Sequence, residues 1–182
     1  MNIRPFKILA ISGSLREKSS NSALLRAFIS MIPSEGQAVI YKEIGSLPHF
    51  NPDLDHDDVD DAVSNWRSQL QEADGVLICT PEYAKGIPGS LKNALDWVVS
   101  SGELVNKPAA VITASPHPDG GGTAMGSLLG TLSMMSASVV EGGSLTVSFV
   151  NKKLRPTGEI VDKALESHLK NLLDALCSEI GS

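Results

Sequence analysis

Short apolar runs alternate along the chain with stretches in which apolar residues recur every three or four positions. The runs are rich in Ile and Val and nearly free of charge, which is typical of strands buried on both faces of a sheet. They predict five strands, at Phe6–Ser12, Gln37–Lys42, Gly75–Thr80, Pro108–Thr113 and Ala137–Glu141, with Thr146–Phe149 either extending the last strand or forming a short one.

The intervening stretches have the period of amphipathic helices. Residues 22–31 and 122–135 are predicted to be helical. Three more helices are indicated by apolar sets at helical spacing, which are Val59, Ala62, Val63, Trp66 and Leu70, then Leu91, Ala94, Leu95 and Val98, then Ile160, Ala164, Leu165, Leu169, Leu172, Leu173 and Leu176. Because strands and helices alternate, the order predicts a parallel sheet with right-handed crossovers and helices on both faces.

Composition narrows the class of protein. The 182 residues suffice for one domain with a sizeable core, so we expect a single domain over residues 1–182. A net charge of −6 argues against a broad nucleic-acid face, which needs clustered Lys and Arg. The apolar runs are too short to span a membrane and the N-terminus lacks a signal-peptide pattern, so we expect a cytoplasmic protein without a membrane partner.

Ligands of such sheets bind beyond the carboxyl ends of the strands, where three predicted loops, residues 12–22, 81–89 and 114–123, are rich in Gly, Pro and hydroxyl groups. The first loop has neither a Gly-x-Gly-x-x-Gly nor a Walker pattern. Its side chains can instead surround a phosphate at a helix start, where free N–H groups point. These side chains are Ser12, Ser14, Arg16, Ser19, Ser20 and Asn21. Alternatively, Ser20 or Asn21 only caps the helix and residues 12–14 form a turn.

Three motifs together carry a resemblance to a known family. The stretch "GSLREKSSN" (residues 13–21) is followed by "LPHFNPDLD" (residues 47–55) and "PEYAKGIPGSLKNALDW" (residues 81–97). They resemble the NADPH-dependent FMN reductase family, a flavodoxin-like group that includes quinone, chromate and azo-dye reductases. The resemblance covers most of the chain and implies an α/β flavodoxin-like three-layer sandwich with a five-stranded parallel sheet.

The resemblance also implies which residues hold FMN. The phosphate would be surrounded by Ser12, Ser14, Arg16, Ser20 and Asn21. The isoalloxazine ring would lie along Pro81, Glu82, Tyr83, Ala84 and Lys85. The pyrimidine end and the ribityl chain would be near Ser115, Gly120, Gly121 and Gly122. Many family members have Asn-x-Ser where this chain has Ala84-Lys85-Gly86. Lys85 would then stabilise reduced FMN, meet the NADPH phosphates, or simply be solvated.

The implied activity needs no catalytic side chain, because hydride passes directly between a nicotinamide and the flavin. We therefore predict an FMN-dependent enzyme that takes hydride from NADPH or NADH and passes it to a quinone-like acceptor, with no catalytic acid or base. The alternatives are a flavodoxin-like electron carrier or redox sensor without NAD(P)H turnover and, more distantly, a phosphate-binding protein of other chemistry. The resemblance further implies a homodimer or homotetramer.

No metal site is predicted. The acidic run Asp53–Asp61 begins like a calcium-binding loop, but Asp58 and Ser64 stand where that loop needs Gly and Glu. We interpret the run as a helix N-terminus whose carboxylates face the positive end of the dipole. Cys79 and Cys177 lie in apolar segments and are interpreted as buried side chains without redox chemistry.

Overall fold

The computed structural model describes residues 5–182. Strands and helices alternate as the sequence pattern predicts. Their bounds are β1 (Phe6–Ser12), α1 (Ser20–Ile29), β2 (Gly36–Tyr41), α2 (Asp61–Glu72), β3 (Gly75–Thr80), α3 (Gly89–Asp96), β4 (Pro108–Ala114), α4 (Gly122–Met134), β5 (Ser138–Val147), α5 (Val150–Lys153) and α6 (Lys163–Ile180), with short 3-10 turns at Ile44–Ser46 and Pro52–Leu54.

The five strands form one parallel sheet in the order β2-β1-β3-β4-β5. The chain therefore moves to one side of β1 for β2 and to the other side for β3. Such a reversal of direction creates a crevice at the carboxyl ends of the strands. The predicted flavodoxin-like fold, a five-stranded parallel sheet with helices on both faces, is confirmed.

The core consists of two apolar layers, one on each face of the sheet. Successive side chains of a strand point to opposite faces, so Ile8 of β1 packs toward α1 and α6 while Leu9 packs toward α2, α3 and α4. Both side chains are fully buried. This packing holds the carboxyl ends of β1, β3 and β4 side by side.

Strand β5 is longer than the five residues of the initial prediction, and the predicted extension of that strand is confirmed as far as Val147. Gly142 and Gly143 interrupt the apolar pattern of this strand, and in the structure they lie where its pairing with β4 is irregular. The pairing with β4 shifts register between Ala109 and Val111. Extra residues in one strand are commonly absorbed in this way without ending the strand.

The observed ends of several helices differ from the ends that the apolar periodicity predicts. Helix α1 begins at Ser20, two residues before the predicted start. Val59 precedes α2 and Val98 follows α3, although both continue the apolar face of their helix. Ile160 pairs with Leu154 in an isolated bridge instead of belonging to α6. None of the helices within residues 5–182 has the length and apolar character needed to cross a bilayer.

Candidate functional site

The loops after β1, β3 and β4 lie together because these three strands are neighbours in the sheet. The segment after β5 joins them: the N–H of Ser115 donates to the carbonyl of Val147 (3.1 Å), and that of Phe149 donates to the carbonyl of His117 (3.3 Å). Four segments thus surround one crevice at the carboxyl edge. Three of these segments were predicted from the sequence, and the segment after β5 was not.

The first loop leaves β1 in close contact with β3. The N–H of Gly13 donates to the carbonyl of Cys79 (2.9 Å). A Cβ atom on Gly13 would lie 2.2 Å from Oγ1 of Thr80, whose side chain is fully buried. Only glycine therefore allows the chain to turn out of the sheet at this point.

Ser19 is the residue that caps α1, since its Oγ accepts from the N–H of Asn21 at 3.2 Å. The expectation that Ser20 or Asn21 would be the cap is wrong, because the helix begins earlier than its apolar pattern. The expected turn at residues 12–14 is present: the N–H of Ser14 donates to Oγ of Ser12, 3.3 Å away. Both Ser12 and Ser14 are buried.

Asn21 is buried and faces the interior, although it belongs to the set predicted to surround the phosphate. Its Nδ2 donates to the carbonyl of Ala114 (3.2 Å), and its Oδ1 accepts from the Cys79 thiol (3.5 Å), whose pKa is raised by burial. The side chain therefore attaches α1 to β3 and β4. Ser20 donates to Oδ1 of Asn151 (2.9 Å), a residue that no sequence signal had indicated.

The first loop keeps hydrogen-bond donors available for a ligand. Within residues 5–182, the N–H groups of Leu15, Glu17 and Lys18 have no acceptor. The Arg16 side chain is exposed beside them. Free N–H groups, a helix N-terminus and a guanidinium are the groups that proteins use to bind phosphate, so the loop fits the phosphate of FMN.

The segment after β3 is a tight turn. Tyr83 and Gly86 exchange two backbone hydrogen bonds, of 2.9 and 3.0 Å. The two central residues, Ala84 and Lys85, have φ values of 49° and 66°. Turns of this kind favour Gly, Asn or Asp at both central positions, and a left-handed Ala or Lys costs about 1 kcal/mol. The strain lies in the segment predicted to line the flavin.

Glu82 connects this turn to α4. Its Oε2 accepts from the N–H of Ala124 (3.0 Å) in the first turn of α4, where the N-cap residue Gly121 offers no side chain. Lys85 lies 3.4 Å from Oε1 of Glu82 and 3.5 Å from Oδ2 of Asp119, and hydrogen bonding to Glu82 raises the pKa of Lys85. The side chain of Lys85 is exposed but bridges two loops.

The loop after β4 approaches the same place through its glycines. Gly120 has φ of 62°, and a Cβ there would lie 2.6 Å from the Thr146 side chain. Gly121 also has a positive φ, and Gly122 opens α4. Ser115 is buried, and its Oγ accepts from the N–H of His117 (3.1 Å). The predicted residues of this loop therefore lie at the edge, with Ser115 engaged in shaping the turn.

The loop after β2 is held by helix α3. Asn93 donates to the carbonyl of Pro48 (2.9 Å) and accepts from the N–H of Phe50 (2.7 Å). Trp97 also donates to Pro48 and contacts Phe50 edge-on. Asn93 and Trp97, in the third motif (residues 81–97), thus position the second motif (residues 47–55).

The acidic run has a structural role at its end, because Asp60 caps α2 and Asp61 lies in its first turn. This interpretation is confirmed for those two residues. Earlier in the run, hydrogen bonds from Ser100 and Arg67 hold the pKa of Asp55 below its usual value. Across the described part of the chain, residues 5–182, no group of three or more His, Cys, Asp or Glu side chains is placed to hold a metal ion.

Comparison with known proteins decides the family. The family model described as NADPH-dependent FMN reductase matches residues 6–152. The chain belongs to this family. An NAD(P)H-dependent FMN reductase from Pseudomonas aeruginosa is 33% identical over 172 residues, which cover 93% of this chain and 92% of that protein. A 2-hydroxy-1,4-benzoquinone reductase from Burkholderia is 32% identical over 171 residues, covering 92% of each.

A solved structure agrees with both relatives. The flavoenzyme NAD(P)H:(acceptor) oxidoreductase FerB from Paracoccus denitrificans superposes with a TM-score of 0.86 at 28% identity, covering 96% of this chain and 97% of that one. The predicted membership of the FMN reductase family is therefore confirmed, together with an oxidoreductase activity that uses FMN and NAD(P)H. The roles of individual residues stay predictions.

Proposed function

We propose that this FMN-dependent NAD(P)H oxidoreductase delivers its electrons to a quinone or a similar small acceptor. The observation that carries the proposal is the crevice itself, where a loop with unbonded N–H groups lies beside a tight turn that has two residues in the left-handed conformation. The relative named as a benzoquinone reductase supports a quinone-like acceptor. Bound FMN would supply the hydride chemistry, accepting from the nicotinamide and donating to the acceptor.

The first loop would bind the phosphate through two kinds of donor. The main-chain N–H groups of residues 15, 17 and 18, with the start of α1, would provide direct hydrogen bonds. Arg16 would add a charge-assisted bond. Since the Asn21 side chain is occupied by Ala114 and Cys79, we propose that it positions α1.

The turn after β3 would support the flavin ring. Pro81 is buried, while Tyr83 is 47% exposed and Ala84 is exposed at the tip. Glu82 would keep the turn in place through α4, and Lys85 would keep it close to the loop after β4 through Asp119. The main chain of Gly120, Gly121 and Gly122 would then border the ribityl side of the cofactor.

We also propose that the chain assembles with copies of itself, as a homodimer or homotetramer, through the outer face of α4. Residues 120–140 carry no charged side chain, although the chain has a net charge of −6. Met134 is 62% exposed and Val105 is 52% exposed, and the segments that carry them meet where the N–H of Asn106 donates to the carbonyl of Ser136. Copies of an acidic chain repel one another least where they meet through an uncharged surface.

Sedimentation velocity tests this assembly at micromolar concentration. We expect a dimer or tetramer for the wild type and a monomer for Gly126→Lys/Gly130→Lys. A Cβ at either glycine has no atom of residues 5–182 within 4 Å apart from the adjacent backbone of α4, so the fold should tolerate the change. Ser167→Lys on the exposed face of α6 is the matched control and should not change the mass. A monomeric wild type would contradict the proposal, as would an unchanged mass of the double variant.

Steady-state kinetics test the proposed activity. The FMN-loaded protein is assayed for NADPH oxidation and NADH oxidation at several fixed concentrations of a simple benzoquinone. Because donor and acceptor would use the same flavin face in turn, parallel double-reciprocal lines are expected. A yellow protein that oxidises neither nucleotide would instead support the carrier or sensor. A cytoplasmic location stays a prediction from the sequence.

A further inference from the structure

A small cavity lies beside the first loop, on the side of α1 that faces the connection between α5 and α6. Its volume is about 210 Å³, and it is lined by Glu17, Lys18, Ser19, Ser20, Arg26, Asn151, Leu154, Arg155 and Pro156. Pockets that hold a whole small-molecule ligand usually measure about 300–1,000 Å³. The cavity therefore suits one chemical group and is too small for a flavin or a complete nucleotide.

The cavity wall is assembled from three separate segments. Ser19 and Arg26 are seven residues apart, which places them two turns apart on the same side of α1. The chain after α5 returns across this side, since Nη2 of Arg26 donates to the carbonyl of Pro156 (3.5 Å). Asn151 closes the wall at the first loop through its hydrogen bond with Ser20.

The charge at the cavity is opposite to that of the chain. Three cations, Lys18, Arg26 and Arg155, line it against one carboxylate, Glu17. The chain as a whole has a net charge of −6. A locally positive cavity on an acidic protein attracts small anions while the rest of the surface repels them.

The cations are available for a ligand. Lys18 has no ion-pair partner among residues 5–182, and the Arg26 bond to Pro156 is long. Arg155 is paired with Glu159 at 3.1 Å, but both side chains are more than 60% exposed. Exposed pairs of this kind are weak, so an anion can compete for the guanidinium. Two planar guanidinium groups match the oxygens of a phosphate in pairs.

The cavity shares Glu17 and Lys18 with the first loop. From this arrangement we infer that its other end, at Arg26 and Arg155, is a second anion site that takes a phosphate group. Two sources carry that chemistry: free phosphate, and the 2′-phosphate that distinguishes NADPH from NADH. The second source rests on the proposed function. In that case the cavity would recognise the 2′-phosphate of NADPH, a role for which the sequence contains no recognisable motif.

The test uses FMN-loaded protein, so that the first loop is already occupied. Binding of inorganic phosphate is followed by ³¹P NMR line broadening and by the thermal midpoint, in the wild type and in Arg26→Gln/Arg155→Gln. We expect phosphate affinity to fall at least tenfold in the double variant, because each charge-assisted bond is worth about a factor of ten. Lys170→Gln, an exposed change of charge on α6, should bind phosphate like the wild type.

Nucleotide kinetics then distinguish the two sources. If the 2′-phosphate binds here, the ratio of kcat/KM for NADPH over NADH falls about tenfold in the double variant, while kcat/KM for NADH stays unchanged. If phosphate binding falls and that ratio does not, the ligand is free phosphate. Equal phosphate affinity in wild type and double variant would overturn the site. Failure of the wild type to load FMN, or to oxidise either nucleotide, would instead count against the proposed function.

Discussion

The first loop and the turn after β3 lie at the same edge of the sheet but differ in how their hydrogen bonds are used. In the first loop, the N–H groups of Leu15, Glu17 and Lys18 have no acceptor within residues 5–182. In the turn, Tyr83 and Gly86 bond to each other twice, and Glu82 attaches the turn to α4. The turn therefore holds its shape through its own pair of hydrogen bonds, whereas the first loop leaves these three donors for a ligand.

The difference indicates two tasks. A segment that binds an anion needs donors without partners, and its conformation gains stability when the anion arrives. A segment that supports a flat ring needs rigidity before the ligand arrives, and strained backbone persists only where neighbouring contacts hold it. Four substitutions distinguish these two tasks, and their expected effects decrease in the order Gly13→Ala, Arg16→Ala, Glu82→Ala and Ala84→Gly.

Replacing Gly13 with alanine should have the largest effect. The added Cβ would lie 2.2 Å from a fully buried threonine side chain, so the strand or the loop must move. We expect the free energy of unfolding to fall by about 1–3 kcal/mol, with FMN affinity reduced as well. Urea unfolding and fluorescence titration measure the two quantities.

Gly89→Ala is the matched control, since a Cβ at that first residue of α3 meets no atom within 4 Å. Its free energy of unfolding should equal or slightly exceed that of the wild type. A Gly13→Ala protein as stable as this control would contradict the close contact between the first loop and β3.

Arg16→Ala should weaken FMN binding without affecting the fold. Arg16 is exposed, so its removal leaves the free energy of unfolding nearly unchanged. The lost charge-assisted bond corresponds to about 1.5–3 kcal/mol of binding free energy, measured as the FMN dissociation constant by fluorescence. Arg16→Lys keeps the positive charge but lacks the planar guanidinium group. Its FMN affinity should lie between those of the wild type and Arg16→Ala. Equal affinity of all three proteins would show that the loop does not use Arg16.

Glu82→Ala should destabilise the apo protein, in contrast to Arg16→Ala. The change leaves the N–H of Ala124 without its acceptor, and loss of such a helix cap costs about 1–2 kcal/mol. Glu82→Gln retains an acceptor oxygen and should recover most of this stability. Urea unfolding of the three apo proteins provides the measurement, and identical midpoints would exclude the cap.

Ala84→Gly should give the smallest effect, and in the stabilising direction. Glycine adopts the left-handed conformation of this turn without steric cost, so we expect the free energy of unfolding to rise by about 0.5–1 kcal/mol. Ala38→Gly in β2, where φ is not positive, should be destabilising instead. A destabilised Ala84→Gly protein would mean that the turn is not strained.

The parts of the fold that follow from local pattern could be predicted. β1 and β3 have the predicted bounds because both are buried on both faces and end in polar loops. The end of β5 was ambiguous because Gly142 and Gly143 resemble a turn, and only pairing with β4 shows that the strand continues.

The site was predictable where residues form a motif and not where contacts are distant in sequence. The first loop and the Pro-Glu-Tyr segment were identified from their composition and from the resemblance. Asn151 was missed, because its bond to Ser20 spans 131 residues. The attachment of Glu82 to α4 likewise depends on the placement of two loops, which no local pattern reports.

An anaerobic visible spectrum of the FMN-loaded protein, taken before and after one equivalent of NADPH or NADH, shows whether the bound flavin accepts hydride from either nucleotide. We expect a bound flavin whose absorption bands bleach rapidly with at least one nucleotide and return when a benzoquinone is added. A stable yellow complex that neither nucleotide reduces, or a protein that takes up no FMN, would contradict this expectation.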